Sequence, residues 1–200
     1  GQPATQALLR SGARAGDDVY VSGTLGDARL ALEALLGHIA LPDHVLAAAR
    51  LRLEQPTPRV ALGLALRGIA TAAADTSDGL LGDLGHILER SGVGATLDTS
   101  IATTLIAAPA YSTGATDRFG LNLPASTVLQ CVLAGGDDYE LLFTAPPLAG
   151  AAVQAAAAAA GVGVRCIGRI TAEPGLRLLD AQGQPLPLQL QGFDHFAAGA

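Results

Sequence analysis

The feature that most restricts the fold is an abrupt change of period near residue 75. Ile69-Ala-Thr-Ala-Ala-Ala74 is a short run of small and apolar residues that ends in Asp75-Thr-Ser-Asp-Gly79. Beyond that turn Leu80, Leu81, Leu84, Ile87 and Leu88 recur at the spacing of one helical face, and Gly92 supplies a stop. The apolar run is too short and too uniform for a surface helix. Residues 69–92 are therefore predicted to form a buried strand, an acidic turn and an amphipathic helix with Ser77 as its N-cap.

The same alternation recurs along the chain. Asp18–Ser22 alternates like a strand, runs into Gly23-Thr-Leu-Gly-Asp27 and leads to a helix over Ala28–Leu36 closed by Gly37. Helices are predicted over Pro42–Glu54, from Pro58 to near Gly68 behind Thr57 as N-cap, over Ser126–Ala134, and from Pro146 through an alanine tract to Ala160. Val93–Asp98, Tyr139–Thr144 and Val162–Ile170 read as strands, and Leu176–Leu179 with Leu186–Leu190 as a hairpin around residues 180–184. Residues 99–123, broken by Pro109, Gly114 and Gly120, read as a long loop or flap. The expected class is α/β, in the layered α+β sense, with helices packed on one mixed sheet; strand order stays open.

Composition removes several function classes. No stretch of about twenty apolar residues runs free of charges or breakers, which argues against a membrane span. A net charge of −6 with three tyrosines and four phenylalanines argues against nucleic acid as partner. All 12 basic residues are arginine, so the chain has no lysine for a Walker A loop; phosphate must be met by arginine, backbone amides, helix N-termini or a metal. Cys131 and Cys166 lack metal-ligand spacing and read as buried free thiols, consistent with a cytoplasmic location. Residues 1–10 show neither a secretory pattern nor an initiator methionine, and a preceding segment is expected. GxSxG, HExxH and Rossmann fingerprints are absent from the sequence.

Two acidic clusters remain. Asp75 and Asp78 bracket a strand end and a helix start, where two carboxylates can converge on magnesium, a hard cation that leaves its other positions to water and phosphate oxygens; simple helix capping explains the same residue types. Asp137, Asp138 and Glu140 follow a glycine pair and repel one another unless a cation, an arginine or a donor-rich ligand sits among them; a solvated turn is the plainer account. Gly23–Asp27 offers amides to an anion, and Arg10, Arg14 and Arg59 are candidate phosphate forks. His86 and His195 read as structural residues.

Leu9-Arg-Ser-Gly-Ala13, Gly16–Asp27, Pro56-Thr-Pro-Arg59, Ala74–Leu80 with Asp83-Leu-Gly-His86, Gly135–Thr144 and Gly192-Phe-Asp-His-Phe196, in this order, closely resemble the thiamine-monophosphate kinase family, within the superfamily that includes aminoimidazole ribonucleotide synthetase and selenophosphate synthetase. The resemblance spans nearly the whole chain. It implies direct transfer of the ATP γ-phosphoryl group to thiamine phosphate, giving thiamine diphosphate. It further implies Asp75 and Asp78 as Mg²⁺ ligands, Arg10 and Ser77 as ATP contacts, and Asp137 and Phe193 as thiamine phosphate contacts. None of these is a general acid or base, and positioning with charge neutralisation would supply the catalysis. Two positions depart from the family: Asp137 stands where glutamate is usual, which shortens the reach, and Gln55 where arginine is usual, which removes a charge. The resemblance assigns residues 1–16 to a segment connecting from an N-terminal ATP-binding domain, and 17–200 to a C-terminal α/β domain that is inactive alone and part of a homodimer when full length. The alternatives are a non-catalytic binding module and a kinase of the same superfamily with another small substrate.

Overall fold

Asp18–Ser22 (β1) is the pivot of the sheet, because its neighbours on both sides run antiparallel to it: Leu141–Ala145 (β4) on one edge and Val164–Thr171 (β5) on the other. In this computed structural model, residues 7–107 and 123–186 are described. Ala72–Asp75 (β2) pairs antiparallel with β4, and Gly94–Asp98 (β3) antiparallel with β5 and parallel with Gly175–Leu179 (β6). The result is one six-stranded mixed sheet in the order β2-β4-β1-β5-β3-β6, as expected for the class.

Strand alternation sends side chains to two covered faces. Val19, Val21, Ala72, Ala74, Leu142 and Leu97 meet the apolar sides of Asp27–Leu35 (α1), Leu80–Ser91 (α4) and Ala125–Ala134 (α6), with Val45 of Asp43–Glu54 (α2) behind them. Tyr20, Ala73, Phe143 and Ala145 face the other way onto Val60–Ala65 (α3) and the alanine-rich Gly150–Ala160 (α7). There the Tyr20 and Phe143 rings, opposite each other in the register, stack with centroids 5.3 Å apart. The alanine tract is packing, as its small side chains let α7 lie close to α3 and the sheet.

Several boundaries differ from those the sequence predicts, each for a local reason. β2 starts at Ala72 because the amides of Ile69 and Ala70 still bond to the Leu66 carbonyl at the end of α3. α3 begins at Val60 and takes no side-chain cap, so Thr57 does not serve as one. Asp98 accepts the Ser100 and Ile101 amides and starts a short helix, Thr99–Ala102 (α5), where the sequence predicts a loop. The rest of that predicted flap, residues 108–122, lies outside the described residues, as do 187–200 with Phe193 and His195. Of the hairpin predicted after β6, Leu179 bridges Pro185, and residues 187–190 lie outside the described residues. Cys131 is buried, whereas Cys166 is only half-buried.

The register brings the acidic turns together. Asp75, the last residue of β2, lies opposite Leu141, the first of β4, and Val21 near the end of β1 lies opposite Leu142. Three turns, at 23–26, 76–79 and 135–140, therefore emerge at one end of the sheet. Two of them are the acidic clusters.

Candidate functional site

The two acidic turns are zipped together through their backbones. The Thr76 amide donates to the Glu140 carbonyl (2.9 Å), the Tyr139 amide to the Thr76 carbonyl (3.0 Å) and the Asp137 amide to the Ser77 carbonyl (3.0 Å). Such close approach requires glycine at 136, where a Cβ would overlap the Ser77 carbonyl oxygen. It also holds Asp137 (φ 67°) and Tyr139 (φ 52°) in the left-handed region, which costs non-glycine residues on the order of 1–3 kcal/mol each. Both side chains are thereby turned outward and exposed, which is why β4 begins only at Leu141.

Carboxylates gather at this end of the sheet, and those of the two acidic turns and of Asp83 divide into two sets. Glu140 is fully buried; its oxygens accept from Arg52 (2.6 Å), twice from Arg59 (2.6 Å each) and from Ser22 Oγ (2.6 Å). Asp138, also buried, accepts from the Gly26 amide (2.8 Å) ahead of α1. Burial pushes its carboxyl up to about 7, the Gly26 amide pulls against this, and the neighbouring Asp27 charge adds to the rise. Asp83 is 1 % exposed, and its Oδ2 accepts from the Ser77 (2.9 Å) and Asp78 (3.1 Å) amides. Burial raises this carboxyl, the two amides lower it, and the Asp78 and Asp75 charges raise it further. By contrast Asp75, Asp78 and Asp137 are exposed, and among the described residues their side chains make no hydrogen bond or ion pair.

This sorting corrects several expectations drawn from the sequence. Ser77 does not cap α4: the helix starts at Leu80 behind Gly79 (φ 109°), without a side-chain cap, because Asp83 one turn inside reaches back for the amides. The 23–27 turn does present an amide, that of Gly26, to a carboxyl group, but the group is the chain's own Asp138. Arg59 is not a free phosphate fork, since Glu140 occupies it. Arg10 lies exposed beside β2, where Leu9 O accepts from the Ala73 amide, and the structure shows no bond from its side chain to Ser77 among the described residues. His86 is exposed rather than a satisfied core residue.

Tyr139 stands between two adjoining clefts. One, of about 200 Å³, is lined by Ser77, Asp78, Gly136 and Asp137 with Arg29 of α1; the other, of about 260 Å³, by Pro56, Pro58, Arg59, Asp75 and Leu141. Asp75 and Asp78 thus face separate openings on either side of the Tyr139 ring, and both fields converge on Asp83 beneath. A wider depression of about 660 Å³ lies elsewhere on the sheet around Asp18, Thr96 and Arg169, but Asp18 and Arg169 pair with each other there (3.2 Å). The unpaired acids at Tyr139 make the stronger candidate. Tyr139 and Asp83 were missed as site-builders in the sequence; the sign of φ at 139 leaves no mark in composition, whereas Asp83 could have been found as an acid in the first turn of α4.

Residues 14–181 match the family described as AIR synthase related protein, C-terminal domain. The chain belongs to that family. It is 40% identical to a thiamine-monophosphate kinase of Salmonella typhimurium over 98% of this chain and 57% of that protein. Among solved structures it resembles a thiamine-monophosphate kinase of Stenotrophomonas maltophilia (40% identity, TM-score 0.73, covering 90% of this chain and 54% of that one). It also resembles AaThiL complexed with AMPPCP and TMP (31% identity, TM-score 0.70, 94% and 54%). This member of the AIR synthase related family therefore spans a little over half the length of these relatives.

Proposed function

We propose that this chain is the C-terminal portion of an ATP-dependent thiamine phosphate kinase, which phosphorylates thiamine phosphate to thiamine diphosphate. The observation that carries the reading is the set of unpaired, exposed carboxylates Asp75, Asp78 and Asp137, placed by zipped turns at one end of a sheet that matches thiamine-monophosphate kinases over almost all of this chain. A folded chain gains nothing from leaving three exposed acids unpaired, and the charges of two of them, Asp78 and Asp75, already raise the buried Asp83 carboxyl. Divalent cations relieve that repulsion, so the donors suit Mg²⁺; because Asp75 and Asp78 face separate openings, each would hold its own ion rather than share one. Bound there with a nucleotide, Mg²⁺ would neutralise charge on the phosphates during transfer.

The chain's own contribution is positioning. Asp83 fixes the Ser77 and Asp78 amides, so that Ser77 can serve an ATP phosphate and Asp78 the metal; Arg10, alongside β2, supplies a further ATP contact. Asp137 and Phe193 would hold thiamine phosphate, with Asp137 presented by its left-handed backbone. An acceptor that is already a phosphate needs little deprotonation, so the reading calls for no general base. The same reading makes residues 1–16 the connection from a preceding ATP-binding domain and the intact protein a cytoplasmic homodimer; among the described residues no helix is long and apolar enough to cross a membrane.

The test is formation of thiamine diphosphate from thiamine phosphate, ATP and Mg²⁺ by the intact protein that contains this chain. Asp75→Asn combined with Asp78→Asn should reduce turnover by at least about a hundredfold, as expected when electrostatic stabilisation is removed. Unchanged turnover in that variant would remove these residues from the reaction, and no turnover by the unaltered protein would overturn the activity itself.

A further inference from the structure

We infer that Asp78, Asp83 and His86 form a site for a divalent first-row transition ion, which shares Asp78 with the Mg²⁺ ligands proposed above and differs from them by its imidazole donor. One donor atom from each of the three lies within 4.8 Å of the other two. Asp83 and His86 stand at i and i+3 on α4, the spacing that puts two side chains on one face a turn apart, and Asp78 approaches from the preceding turn.

A carboxylate of Asp83 supplies the independent sign of a ligand. Asp83 is 1 % exposed, its Oδ2 is committed to the Ser77 and Asp78 amides, and its Oδ1 is buried with no hydrogen-bond partner among the described residues. A buried anionic oxygen left bare costs on the order of 1–3 kcal/mol or more, and folded chains rarely leave one so. The two amides also fix the carboxyl plane, so Oδ1 is held in place. Asp78 and His86 are both exposed, so an ion can reach them from solvent.

Donor type decides the class of ion. Mg²⁺ and Ca²⁺ take oxygen ligands, whereas an imidazole nitrogen with two carboxylates suits Mn²⁺, Fe²⁺ or Zn²⁺. Octahedral bonds of about 2.1 Å put neighbouring donors about 3 Å apart and opposite donors about 4.2 Å apart.

Mn²⁺ is the probe. The 200-residue chain would be loaded with one equivalent of Mn²⁺ and its electron spin echo recorded, with affinity measured by titration. A directly bound nitrogen modulates the echo. The expected result is that modulation in the unaltered chain, its loss in His86→Gln, and at least about a tenfold weaker Mn²⁺ affinity in that variant, in line with what even outer-shell changes cost metal sites. His86 is exposed, so His86→Gln leaves the fold intact, and circular dichroism checks it. Absence of nitrogen modulation in the unaltered chain, or its persistence in His86→Gln, overturns the inference. The measurement involves neither ATP nor turnover, so its failure leaves the kinase reading standing, and failure of the kinase assay leaves this site standing.

Discussion

Glu140→Gln is the sharpest test of how the site is built. The substitution keeps the side chain's shape and an acceptor oxygen but removes the one negative charge between Arg52 and Arg59, whose side chains are only 16% and 19% exposed. Three guanidinium hydrogen bonds of 2.6 Å and one from Ser22 converge on this carboxylate. Removing one partner of a buried ion pair costs about 3–5 kcal/mol, since the remaining charge stays desolvated. For a chain of this size that lowers the melting temperature by roughly 6–20 °C, at about 2–4 °C per kcal/mol. Urea unfolding of the chain measures it, with Glu54→Gln as the control. Glu54 pairs with Arg50 on the same helix, but both are nearly half exposed, so that change should cost about 0–1 kcal/mol and vanish in salt. If the two variants lose equal stability, Glu140 is not the electrostatic anchor of the turn. If the cost is confirmed, replacing Glu140, Arg52 and Arg59 together by apolar residues of similar volume should restore most of it.

Gly136→Ala places a methyl against the Ser77 carbonyl oxygen, so the chain should lose about 1–3 kcal/mol in urea unfolding and gain amide exchange at Asp137 and Tyr139. Asp138 carries a pH signature: its folded carboxyl titrates at about 7 against an ordinary 3.8, so between those values the folded chain holds a proton that the unfolded chain releases. Stability should fall as pH rises through that window, by on the order of 4 kcal/mol in all, and the slope should disappear in Asp138→Asn. Asp78→Asn removes one charge that raises the Asp83 carboxyl, so without divalent cations it should leave stability unchanged or slightly increased, measured by thermal unfolding. A loss of more than about 1 kcal/mol would show that Asp78 has a structural partner.

Elements whose signals are local were legible in the sequence. α4 announces itself by its leucine stripe and Gly92, and β1, β3 and β5 by short apolar or alternating runs, because one burial face imposes one period. Boundaries went astray where a side chain or a carbonyl from outside the window decided them: Asp83 displaced Ser77 as the source of capping, and the Leu66 carbonyl delayed β2. Strand order is a global property. Nothing between residues 94 and 179 states that β6 pairs parallel with β3 while every other pairing is antiparallel.

The acidic clusters were visible as residues but not as roles, and the reason is long-range. Asp137, Asp138 and Glu140 are near-equivalent in a linear reading. Their fates are set by what lies 80 to 120 residues away: Arg59 and Ser22 take Glu140, and the Gly26 amide takes Asp138. The antiparallel register of β1, β4 and β2 brings those partners to the same end of the sheet, and once they are satisfied only Asp137 of this cluster remains outward. The departure from the family's usual glutamate thus falls on the one acid of the three with no structural duty. Asp137→Glu should therefore leave unfolding by urea unchanged within about 0.5 kcal/mol, as for a free surface position, while Glu140→Asp should not. A measurable loss in Asp137→Glu would mean that the left-handed turn, rather than the ligand it faces, dictates aspartate there.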